Sequence, residues 1–268
     1  MISIIVSSYQ PTYYKALVDN ISLTIGNVVY EVIRIDNPGL MGISEAYNKG
    51  AIKAQYPYLC FVHEDVLFHT NNWGINLINH LKGLEIGAIG VAGSAYKSFV
   101  PSTWSLFKPY IASNLIQHVK NQDKTSYLNK IQGKEDENMY EVVTLDGVFI
   151  ATHKTIWEKG PFDEKLLKGF HGYDMDFSLQ VAQDHKLYVV FDILLEHFSE
   201  GNPNNDWMQA AMTVSDKWKK YLPTHCIPNL LETDRLNLET KAKTGFKKRL
   251  KRFGYKKLNR ILLYLKYL

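Results

Sequence analysis

The motif His63-Glu64-Asp65, two adjacent carboxylates beside a histidine, closes the apolar run Tyr58-Leu59-Cys60-Phe61-Val62, and Val66-Leu67-Phe68 then resumes it. Carboxylates held against apolar walls repel each other and lose hydration unless a cation or hydrogen-bond donors compensate. A divalent metal holding a phosphate-bearing substrate supplies such compensation. The plainer reading is an acidic pair that caps a helix or solvates a loop, and spacing alone leaves both open.

The elements around the motif favour chemistry. Ile2–Ser7 is an apolar, β-rich run ending in the turn-prone Ser8-Tyr9-Gln10-Pro11, and a helix is expected from Tyr14 to about Ile25. Tyr30–Ile35 alternates and stops at the polar turn Asp36-Asn37-Pro38-Gly39. Helical stretches are expected over Ser44–Ala54 and Trp73–Leu84, and further strands over Ile86–Val91, Val142–Ala151 and Leu187–Ile193. Strands separated by helices predict a mostly parallel α/β sheet flanked by helices. Ligands of such sheets bind beyond the strands' carboxyl ends. Ser7–Tyr9, Asp36–Asn37 and His63–Asp65 are all carboxyl ends, so three polar clusters converge on one crevice. Asp146-Gly147 interrupts a strand, a place where another group can approach the backbone closely.

Composition narrows the field. The chain has 268 residues, 46% of them hydrophobic, and two cysteines, Cys60 and Cys226. Two unclustered thiols make neither a zinc spacing nor a disulfide framework, and they point to a reducing compartment. Met1–Val6 lacks a basic leader, and no apolar run is long enough to span a bilayer. Of 31 Lys and Arg, 11 fall within 241–268, where there is no acid, leaving 20 against 27 acidic residues and a net charge of −7 for Met1–Thr240. An acidic body argues against nucleic acid as partner.

Four ordered segments carry a resemblance: Ile2–Tyr9 with Asp36-Asn37; His63-Glu64-Asp65-Val66; Leu145–Asp176; and His197-Phe198-Ser199. The third is the most specific, with Leu145-Asp146-Gly147-Val148-Phe149-Ile150-Ala151, then Gly160-Pro161-Phe162-Asp163-Glu164, then Gly172-Tyr173-Asp174-Met175-Asp176. Together they resemble the inverting GT-A glycosyltransferases of family 2, in the bacterial branch similar to streptomycin-biosynthesis-type domains. The resemblance implies a GT-A fold over 1–225, with 96–140 as an acceptor or lid insertion (or a variable surface excursion), and a C-terminal helical appendage over 226–268. It implies a nucleotide-sugar donor, UDP-sugar foremost, a glycan or lipid-linked glycan acceptor, and Mn²⁺ or Mg²⁺. Glu64 and Asp65 fall on the family's Asp-X-Asp site with His63 in place of the first Asp, which leaves Asp65 as metal ligand and Glu64 toward ribose or second-sphere water. His197 matches an additional metal ligand. Asp174 matches the catalytic base, with Asp176 as fallback; Tyr173 stands where the commoner pair has Glu. On residue types alone, Asp174 and Asp176 need only favour a helix N-terminus. Donor contacts are implied at Ser7, Ser8, Tyr9, Asp36, Asn37, Gly42, Asn48, Asp146 and Gly147, and Tyr47 resembles the family's next helix entrance.

The tail repeats apolar residues at helical spacing, from Phe246 and Leu250 to Leu265 and Leu268, between lysines and arginines. A basic amphipathic helix of this kind suits an anionic membrane surface, or packs on the body or a partner with its lysines solvated. With the former, the expected location is cytoplasmic, peripheral on the inner face of the membrane. Two other functions share parts of the pattern. A sugar-nucleotide nucleotidylyltransferase needs a Gly-rich, Arg- or Lys-bearing loop after the first strand, which Ser7-Ser8-Tyr9-Gln10-Pro11 lacks. A catalytically silent glycan-binding module needs no base.

Overall fold

A computed structural model of the chain describes residues 1–83, 85–118, 126–131, 138–199, 201 and 203–267. Most of the polar run 132–138, together with Glu200 and Leu268, lies outside the described residues. The elements, in order, are β1 (Ile2–Ser8), α1 (Pro11–Thr24), β2 (Tyr30–Asp36), α2 (Ile43–Lys53), β3 (Tyr58–His63), β4 (Val66–Phe68), α3 (Trp73–Leu81) and β5 (Ile86–Gly90). Next come β6 (Ala92–Ser94), β7 (Tyr96–Lys97), β8 (Ile111–His118), β9 (Ser126–Ile131), β10 (Met139–Val142), β11 (Thr144–Leu145) and β12 (Phe149–His153). The C-terminal part holds α4 (Lys154–Lys159), α5 (Tyr173–Val181), β13 (Lys186–Val190), β14 (Leu195–His197), α6 (Asn205–Lys217), β15 (Thr224–His225), α7 (Glu232–Arg252) and α8 (Lys257–Lys266).

The main sheet runs β10-β13-β5-β12-β3-β1-β2. The pairs β1–β2, β1–β3 and β13–β5 are parallel, whereas β12 and β10 run against their neighbours. The sheet is therefore mixed, with its principal direction set by β1, β2, β3, β5 and β13. Both faces are covered, as the near-continuous apolar runs of β1 and β3 require. On one face α1 and α3 bury Leu17, Ile21, Trp73 and Leu77; on the other α2 and α5 bury Tyr47, Ala51, Tyr173 and Phe177. Each large apolar side chain so buried contributes about 1.5–3 kcal/mol.

A second sheet, β11-β6-β8-β14-β4 with β9 on β8, lies at the carboxyl ends of the main strands. Within the stretch from Tyr96, β8 pairs with β6, β9 and β14 inside this sheet. The tail from Glu232 is helical. It is two helices, broken at Gly254 (φ +74°), and the first is part of the body. Leu238, Ala242, Phe246 and Leu250 of α7 are buried with Tyr96, Val100 and Met208, and Glu239 accepts hydrogen bonds from Tyr96 Oη (2.8 Å) and Ser98 Oγ (3.0 Å). Phe246 and Leu250 thus face the core and not a membrane. Among the described residues no helix is long and apolar enough to cross a bilayer.

Candidate active site

In the parallel register Ser7 lies between Ile35 and His63, with Ser8 opposite Asp36, so the three carboxyl ends do share one edge. The His63-Glu64-Asp65 exit then divides between both of its readings. Glu64 is buried and accepts from the backbone N–H groups of Tyr9 and Gln10 at 3.0–3.2 Å. Gln10 is the cap residue of α1 and gives no side-chain cap. A carboxylate brought from β3 takes that place, complementing the orphan amides and the positive end of the helix. Glu64 therefore shapes the loop after β1.

Asp65 turns the other way. His63, Asp65 and His197 each offer a ligand atom, all within 4.8 Å of one another. The hydrogen bonds around both imidazoles fix which nitrogen is free. Gln117 donates its amide to the carbonyls of Ser199 (2.7 Å) and His118 (2.8 Å), so its Oε1 accepts from His197 Nδ1–H at 3.2 Å. The His197 Nε2 lone pair then faces Asp65 Oδ1 at 3.7 Å, with Ser199 Oγ 3.2 Å away. Tyr173 keeps its proton, because burial raises its pKa well above the usual value, and gives it to Gly147 O at 3.0 Å. It must then accept from His63 Nε2–H at 2.9 Å, leaving Nδ1 of His63 as the lone pair. Burial and the nearby His63 push the His197 pKa down, which keeps the imidazole neutral. Two imidazoles, each oriented by an outer hydrogen bond, and a carboxylate fit a divalent transition metal. His63 belongs to this set. Its standing in an Asp position was a usable signal, since imidazole is itself a ligand.

Asp174 opens α5 on the wall of a cavity of about 490 Å³ that His63, His197, Asp146 and Trp104 also line. Burial, reinforced by Asp146, pushes its pKa up to about 7, although Oδ2 accepts from Gly147 N–H at 3.2 Å. A carboxyl with that pKa can take up a proton near neutrality. Asp146 is held by Val148 N–H (2.9 Å) and the Trp104 indole (2.5 Å). Gly147 is required by space: a Cβ there would stand 2.0 Å from Tyr173 Oη.

Two expected residues lie elsewhere. Asp176 points away from the cavity, accepting from the Trp218 indole (2.7 Å) and Lys217 Nζ (2.8 Å). The two acids are two residues apart on a helix, and that offset faces them apart. Asn48 is buried and does not line this cavity. Its amide is consumed by Phe162 N and O, Glu164 Oε2 and the Trp157 indole, which pin the Phe-Asp-Glu turn onto α2. Tyr47 is likewise core, packed on Phe61, Phe162 and Tyr173. At the strand edge Asn37 shapes the turn through Ser7 Oγ and Met41, while Asp36 pairs with Arg34 at 2.9 Å, Ser8 is buried and Tyr9 is exposed. Gly42 begins α2 where a Cβ would meet Lys168 O at 2.4 Å. Gln117 and Trp104 had no individual signal in the sequence, and Ser199 and Tyr173 stood in the quoted motifs without a sign of the bonds they make; Gln117 bonds His197 across 80 residues and Tyr173 bonds His63 across 110.

The model of the "Glycosyltransferase like family" matches residues 3–223. The chain belongs to the glycosyltransferase-like family. A comparison with curated protein sequences gives no match. Among solved structures, the glycosyltransferase-like chain is similar to S. aureus TarS 1–349 in complex with UDP-GlcNAc, at 12% identity and a TM-score of 0.57, covering 100% of this chain and 79% of that one. It is also similar to GalNAc-T7 with UDP, GalNAc and Mn²⁺, at 13% identity and a TM-score of 0.53, covering 81% of this chain and 48% of that one. The chain thus spans about half of that second structure's length. At such identity the likeness establishes the GT-A fold.

Proposed function

We propose that this glycosyltransferase-like chain is a metal-dependent, inverting transferase that moves a sugar from a nucleoside diphosphate, UDP foremost, to a hydroxyl of a glycan acceptor in bacterial surface polysaccharide assembly, within the streptomycin-type branch. The observation that carries this is one cavity lined by a carboxyl poised near neutrality and by two members of a His-Asp-His cluster. A metal bound by His63, Asp65 and His197 supplies charge neutralisation and Lewis acidity toward a diphosphate; the imidazoles favour Mn²⁺ over Mg²⁺. Asp174 takes the acceptor hydroxyl's proton as the acceptor oxygen bonds to the anomeric carbon and the bond from that carbon to the diphosphate oxygen breaks. Attack opposite the leaving group inverts the centre. Ser7, Ser8, Tyr9, Asp36 and Asn37 border the nucleotide end of the edge, and Asp146 and Gly147 the sugar.

The test is a transfer and donor-hydrolysis screen over UDP-, dTDP- and GDP-sugars with and without Mn²⁺, beside calorimetry. Asp174→Asn is expected to keep Mn²⁺-dependent donor binding and lose transfer. Unchanged turnover removes Asp174 from the chemistry, and absence of metal-dependent donor binding in the unsubstituted protein defeats the proposal.

A further inference from the structure

The last helix, α8, is apolar on two sides. Its inner side, Leu263 and the following Tyr267, packs into the core shared with α6 and α7, where Tyr267 Oη bonds Asp216 Oδ1 at 3.0 Å. Its outer side presents Leu258, Ile261, Leu262 and Leu265, exposed at 67%, 47%, 57% and 60%. Offsets of three, four and seven residues from Leu258 set all four on one stripe. Four large aliphatic side chains contiguous in water mark an interaction surface.

Charge selects the occupant. Residues 241–268 carry 11 Lys and Arg and no acid, and Lys247, Lys248, Lys251, Arg252, Lys256 and Lys257 are exposed. A second copy meeting this stripe through a twofold axis brings the same cations against their own kind. An anionic lipid surface offers hydrocarbon to the stripe and negative headgroups to the cations together. We infer that α8 is a membrane-docking element lying in the plane of an anionic bilayer, with Leu258, Ile261, Leu262 and Leu265 entering the boundary between headgroups and acyl chains. The dock is tied to the body through Leu263, Tyr267 and the buried face of α7. It also joins the site: Trp207 lines the cavity and packs on Phe253, at the corner between α7 and α8, with ring centroids 6.3 Å apart. The inference stands on the tail alone and holds whatever the cavity binds.

Co-sedimentation of the full chain with vesicles tests it. Binding is expected to phosphatidylcholine vesicles containing phosphatidylglycerol, to weaken with salt, and to be absent from pure phosphatidylcholine. The double substitution Ile261→Glu with Leu265→Glu is expected to lower partition at least about tenfold with circular dichroism and Tm unchanged, since both side chains lie outside the core. Lys256→Glu with Lys257→Glu is expected to weaken binding and flatten its salt dependence. Failure of the unsubstituted chain to bind anionic vesicles overturns the inference, as does equal binding by the Ile261/Leu265 variant. A solution dimer that this variant dissolves, without vesicle binding, assigns the stripe to a second copy instead.

Discussion

Asp174 holds its proton to about pH 7 because it is buried beside Asp146. A base works when deprotonated, so transfer is expected to rise with pH through the neutral range and level off above it; a pH–rate profile over that range checks this. Stability runs the other way. The folded state keeps the proton where the unfolded chain has already released it, so this carboxyl's contribution falls as pH rises from about 4 to 7. Asp174→Asn is therefore expected to raise Tm at pH 8 by roughly 2–4 °C per kcal/mol of relieved burial, while activity drops about 10²–10⁴-fold; differential scanning calorimetry at pH 5 and pH 8 separates the two effects. At the metal cluster, Tyr173→Phe removes the acceptor that orients His63. Mn²⁺ affinity of the metal-free protein is expected to fall about 10–100-fold, and nitrogen NMR of His63 is expected to change from one tautomer to a mixture. An unchanged affinity and tautomer would return Tyr173 to a packing role.

At the scale of elements, the strands that end at the site were legible. β1, β2 and β3 are apolar runs closed by polar turns, and their common edge follows from parallel pairing. The direction of β12 was not legible: Val142–Ala151, read as a strand interrupted at Asp146-Gly147, divides into the end of β10, β11 and β12, with β11 and β12 in different sheets. Side-chain roles were less legible than strands. Asn48 and Glu64 have the residue types of ligand contacts, and what they bond is set by elements up to 116 residues away. Asn48→Ala is expected to cost about 2–4 kcal/mol, because it orphans the Trp157 indole and the Phe162 backbone in a buried turn. Urea denaturation measures this, and Mn²⁺ binding by the folded fraction is expected to persist.

For the whole molecule, the charge asymmetry between body and tail was plain in the sequence, but the partition of the tail was not. The helical repeat from Phe246 to Leu265 contains two different faces, one spent on the body by α7 and one left outward by α8. Removing residues 256–268 is expected to leave a folded protein with a moderately lowered Tm, since Tyr267 and Leu263 are lost from the core. Removing residues 232–268 uncovers Leu238, Phe246 and Leu250 together with their partners, and is expected to yield an insoluble or unfolded chain; thermal scans of both truncations check the contrast.

His63 and Tyr173 touch each other across 110 residues of sequence. The Tyr173 proton is already committed to Gly147 O, so an aspartate at position 63 would face a hydroxyl lone pair in place of a donor. Gly147, whose N–H serves Asp174 and whose carbonyl serves Tyr173, couples the two positions, so substitutions at 63 and 173 are expected to be non-additive in a double-mutant cycle read by Mn²⁺ binding.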